Sequence, residues 1–65
     1  MYTYFVSYAV YNDGQPCFGN VQIEVPTKVT KNNSAESLHI MKNVIEKMIK
    51  LENVIILNFI LLEEE

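Results

Sequence analysis

Few side chains in this 65-residue sequence could do chemistry, and the first two to weigh are Cys17 and His39, the single cysteine and the single histidine. Together they could form a thiolate–imidazole nucleophile, but such a pair is made by geometry, and no local signature surrounds either residue. His39 reads as a surface helix residue and Cys17 as a small residue at a strand start. One cysteine and one histidine fall short of the four ligands of a structural zinc site, and a lone cysteine forms no internal disulfide. Glu63, Glu64 and Glu65 could together attract a hard cation, although a terminal charge run is ordinarily a solvated tail. Gly14 and Gly19 do not compose a phosphate-binding loop. The expectation is therefore a protein that is not an enzyme, with no cofactor and no metal.

The charges point the same way. Five basic residues, all of them lysines, stand against eight acidic ones, for a net charge of −3. Without arginine there is no bidentate phosphate reader, and an acidic chain repels a nucleic-acid backbone. The exception to weigh is single-stranded nucleic acid, whose bases stack on aromatics of an open sheet. The lysines fall in a connector and on a helix, away from the aromatic strand, so nucleic acid is not the expected partner. No stretch has the form of a secretory leader, and the longest apolar runs, Val54–Leu57 and Phe59–Leu62, are too short to cross a bilayer. A cytoplasmic location without membrane attachment is expected, and a free cysteine agrees with a reducing compartment.

The elements that must position these residues are legible in the apolar pattern. Tyr2–Tyr11 is rich in aromatic and β-branched residues and predicts a first strand. Asn12-Asp13-Gly14, followed by Pro16, predicts a turn of about five residues. Phe18–Val25 alternates, with Gly19, Val21, Ile23 and Val25 on one face and Asn20, Gln22 and Glu24 on the other, and Pro26 closes it. The polar connector Thr27–Asn33 leads to a helix. Asn33 with Glu36 has the spacing of a capping box, and Ser34 competes for the cap. Leu38, Met41, Val44, Ile45, Met48 and Ile49 then form one apolar stripe, opposite His39, Lys42, Asn43, Glu46 and Lys50, and the helix should end near Leu51. A Glu46–Lys50 pair would add to the solvated side. Val54–Leu62 is apolar on both faces and predicts a third strand.

The order is β-β-α-β within one small α+β domain spanning residues 1–65. A right-handed crossover through the helix sets the third strand beside the first, giving an antiparallel sheet of order 2-1-3 with the helix on one face. Sheet and helix leave a surplus of apolar surface. If Phe5, Ser7 and Ala9 face the helix, the other side of the first strand is Tyr2, Tyr4, Val6, Tyr8 and Val10, flanked on the third strand by Val54, Ile56 and Ile60. That strip is the expected surface for self-association or for a partner, because large exposed apolar patches mark contacts and tyrosine buries area at low entropic cost. Ordering a chain costs roughly 1.5 kcal/mol per residue, and with neither disulfide nor metal to assist a small core, association is the remaining aid. A homodimer is expected.

Tyr4-Phe5-Val6-Ser7-Tyr8, Cys17-Phe18-Gly19-Asn20, the Asn33–Ile49 helix and Val54-Ile55-Ile56-Leu57-Asn58-Phe59 together resemble short proteins encoded by bacteriophages and prophages. The resemblance spans nearly the whole chain and transfers no catalytic residue. It implies an accessory protein that binds a host protein in the host cytoplasm and inhibits it by steric occlusion, as anti-CRISPR inhibitors of CRISPR-Cas defence do. The alternative is a self-associating structural or regulatory module, with two sheets packed face to face.

Overall fold

Asp13 and Gly14 both have positive φ, 54° and 77°, the condition for a two-residue type I′ hairpin turn. They join strand β1, Tyr2–Asn12, to strand β2, Gln15–Val25, in a computed structural model that describes residues 1–64; Glu65, the last of the three terminal glutamates, lies outside the described residues. Helix α1 follows at Ser34–Ile49 and strand β3 at Ile55–Glu64. The strands form one antiparallel sheet of order β2-β1-β3, so the expected α+β arrangement is the observed one. β2 begins three residues earlier than its alternation suggests, because the turn takes two residues and not five.

The turn also decides which way β1 faces. With Asn12 opposite Gln15, every pair in the hairpin matches an even residue with an odd one: Tyr4 with Ile23, Val6 with Val21, Tyr2 with Val25. Directly opposed residues share a face, so the even residues of β1 lie with the aliphatic face of β2, under the helix. The expected assignment of Phe5, Ser7 and Ala9 to the helix side is thereby reversed. Tyr4, Val6, Val10, Ile23 and Val25 join Met41 and Ile45 of α1 and Val54 ahead of β3 in the buried core.

On the other flank, β3 is interrupted by register shifts between Thr3 and Tyr4 and between Ser7 and Tyr8 of β1. They leave Leu62 and Leu57 as extra residues, and each such bulge resets the alternation. Val54 and Ile56 therefore share the core side with Phe59 and Leu61, whereas Ile60 pairs with Phe5 on the opposite side. Phe59 meets Tyr4 edge to face, with ring centroids 5.8 Å apart.

Helix α1 buries Ser37, Met41 and Ile45, while Ile40 and Met48 are exposed. Its beginning departs from the expected capping box. The Asn33 side chain turns back to the connector, where Oδ1 accepts from Thr30 N at 2.7 Å and Nδ2 donates to the Lys28 carbonyl at 2.9 Å. No side-chain cap bond to the helix backbone forms. At its other end Lys50 adopts a left-handed conformation, φ 60°, and its N–H bonds the Glu46 carbonyl. The helix stops before Leu51, with Lys50 outside it as the cap. Glu46 instead pairs with Lys42 at 3.0 Å.

Candidate functional site

The residues considered first for chemistry lie apart in the fold. Cys17 is exposed near the start of β2, beside the hairpin turn, its thiol directed to the Gln15 carbonyl at 3.8 Å. His39 is exposed on α1. Glu63 and Glu64 end β3, opposite Thr3 and Tyr2, and Glu64 pairs with Lys28 at 2.9 Å. That bond and the carboxylate's charge hold the Lys28 ammonium above the ordinary lysine range. Among the described residues no three histidines, cysteines or carboxylates converge as a metal site, and no helix is long and apolar enough to cross a membrane. A shallow cleft of about 160 Å³ opens between Tyr8, Asn20 and Val21 of the hairpin and Ile45, Met48 and Ile49 of the helix. Its lining is mainly aliphatic and aromatic, a packing gap in chemical character.

The expected contact strip requires correction residue by residue. Tyr4, Val6, Val10 and Val54 are between 0% and 4% exposed, and all four belong to the core. Tyr2, Tyr8 and Ile56 are half-buried and packed against that core. The Tyr4 hydroxyl accepts a hydrogen bond from Val29 N at 2.9 Å, which ties the connector over the sheet end. Tyr8 lies across Gly19, where an added Cβ would fall on its ring. Of the eight residues in the strip, Ile60 alone stands on the open side, more than half exposed. The cause is the two-residue turn and the bulges, which invert the parity assumed for β1 and divide that of β3.

The surplus hydrophobicity is real, and it sits on the other face. Four rows cross the open side of the sheet: Glu24–Thr3–Glu63, Gln22–Phe5–Ile60, Asn20–Ser7–Asn58 and Phe18–Ala9–Ile55. Ile55 and Ile60, with Leu57 and Leu62 at the bulges, are each more than half exposed, and Phe18 is three-quarters exposed. The β3 flank of this face is thus aliphatic. The β2 flank is polar, with Ser7 Oγ donating to Asn20 Oδ1 at 2.7 Å. Its charges are the carboxylates of Glu24 and Glu63, both at one end. The lysines belong to the connector and the helix.

What the open face can do is lie against another surface. The aliphatic flank offers area to desolvate, and Ser7, Asn20 and Asn58 offer hydroxyl and amide groups that fix a register. Alternation alone could have located this face if Asp13-Gly14 had been taken as a two-residue turn. The bulges had no sequence signal. Compared with known protein families, with curated proteins and with solved structures, the chain matches none.

Proposed function

We propose that the chain is a non-enzymatic protein-binding module whose open sheet face is the contact surface, and that it acts by covering a surface of a host protein. The observation that carries this reading is the aliphatic exposure along β3: Ile55 and Ile60 on a face with no helix over it, and Leu57 and Leu62 at the bulges beside them, each more than half exposed. Contiguous apolar surface of this kind marks contacts, and affinity concentrates in a few such anchors at the centre of an interface. Steric occlusion needs no catalytic group and suits a small rigid sheet. The resemblance to phage-encoded proteins supplies the host context, with a cytoplasmic defence component of the CRISPR-Cas kind as one class of target.

Binding of single-stranded nucleic acid is the weaker reading. Tyr4 and Tyr8 lie on the core side, and the charges of the open face are carboxylates, so neither the stacking platform nor the cationic groove is assembled there.

The test is capture from bacterial lysate on the immobilised protein, with Ile60→Glu and Ile40→Glu run alongside. Ile40 is an exposed residue of the helix. The reading expects one host protein retained in stoichiometric amount by the wild type and by Ile40→Glu, and lost with Ile60→Glu. Equal retention by all three would move the contact away from the open face.

A further inference from the structure

We infer that, with no other partner present, a second copy of this chain covers the open face, sheet against sheet, about a two-fold axis that runs across the strands and stacks β3 on β3. The inference rests on the open face being a contact surface, and it says what occupies that surface at rest: the host target then competes with a second copy.

Area is the first argument. The molecule measures 38 × 20 × 17 Å, so the outline of a side along its long axis is at most roughly 650–760 Å², an upper bound for the face that approaches the roughly 800 Å² per partner of a standard specific contact. Pairing through the outer edge of β3 would engage only about one strand width of some 4.8 Å. The bulges at Leu57 and Leu62 also break that edge, as edge-protected strands do. The face, and not the edge, has the dimensions of an interface.

The pattern on the face then selects the axis. A two-fold parallel to the strands would lay β2 on the partner's β3. It would set the aliphatic flank against Asn20, Gln22 and Glu24 and bring Glu24 over the partner's Glu63 at the same end. A two-fold across the strands does the reverse. It stacks aliphatic flank on aliphatic flank and polar flank on polar flank, and it carries the two Glu24–Thr3–Glu63 rows to opposite ends, where like charges no longer face one another. Two independent features, the lateral split between apolar and polar and the acidic row at one end, choose the same operator.

The native Cys17 allows a direct test. It pairs with Val10 on the helix side of the sheet and is exposed, so a nitroxide label there leaves the open face untouched. With the axis crossing near the Phe5–Ile60 row, the two labels sit at opposite ends, about 35 Å apart at roughly 3.4 Å per residue along each strand. With the axis parallel to the strands they sit at the same end, about 15 Å apart across the strand and sheet spacings. The expected result is a sedimentation mass twice that of the chain, with a label–label distance by double electron–electron resonance near the longer value. A wild type that stays at the mass of one chain at high micromolar concentration overturns the inference, and the surface reading is then judged on capture from lysate alone. A doubled mass with the shorter distance overturns the axis. Ile60→Glu and Leu57→Glu, both at exposed positions, should keep the circular dichroism of the wild type and halve its mass. Dimers that persist in both variants would place the contact elsewhere and overturn the surface reading as well.

Discussion

Among the described residues three besides glycine hold positive φ: Asp13 in the hairpin turn, Lys50 at the helix C-cap and Asn53 in the segment between helix and β3. Aspartate and asparagine tolerate this region through their short polar side chains, whereas lysine has no such compensation. Replacing Lys50 by glycine should therefore raise unfolding stability by about 0.5–1 kcal/mol, read as a shift of the urea midpoint at unchanged slope. Gly14 presents the opposite case. Nothing lies within 4 Å of where its Cβ would stand, so Gly14→Ala isolates the backbone cost at φ 77° and should lose about 1 kcal/mol in the same titration. Met41 is fully buried beneath the sheet, and its truncation to alanine should cost about 2–5 kcal/mol. A core this small yields only about 3–5 kcal/mol in all, so Met41→Ala should use up most of the stability and show a substantial unfolded fraction by circular dichroism at 25 °C.

Between elements, the junction of α1 and β3 is held by Glu46, whose carboxylate takes the Lys42 ammonium at 3.0 Å and the Val54 backbone N–H at 3.1 Å. The first of these bonds, then the second, holds the Glu46 carboxyl below the ordinary glutamate range. A depressed acid stabilises the fold above its unfolded value and loses that contribution as pH falls through the folded one. Glu46→Gln should thus be less stable than wild type at neutral pH. The difference should close on acidification, from the usual glutamate range downward, in paired denaturant titrations. A difference independent of pH would mean that the carboxylate's charge is not what joins the two elements.

Element order and sheet order were legible because strand and helix periods differ along the chain and the crossover rule leaves few topologies. The face of β1 was not, since it depends on one residue of loop length: a two-residue turn pairs even with odd positions, and a longer loop frees that choice. Tyrosine also suits either side of a sheet, its ring buried and its hydroxyl satisfied, as Tyr4 is by Val29. The parity of β3 was hidden further by bulges that insert residues as apolar as those they separate.

For the molecule as a whole, the accessible surface is 4669 Å², about a tenth more than the roughly 4250 Å² typical of a compact chain of 7.5 kDa. The radius of gyration, 11.8 Å, likewise exceeds the roughly 10.7 Å typical of this length. A long hairpin and a sheet covered on one side account for both. One layer of helix over a three-stranded sheet leaves the second face bare, and here that face is aliphatic along β3.

The most direct measurement is the accessibility of individual methyl groups to a soluble paramagnetic probe, followed by nuclear magnetic resonance as protein concentration rises. In dilute solution the methyls of Leu57, Ile60, Leu62 and Ile40 should all be strongly relaxed, and those of Val6 and Ile45 protected. At high concentration Leu57, Ile60 and Leu62 should become protected together while Ile40 stays exposed. Protection of Ile40 with Ile60 still accessible would contradict the open sheet face as the contact surface.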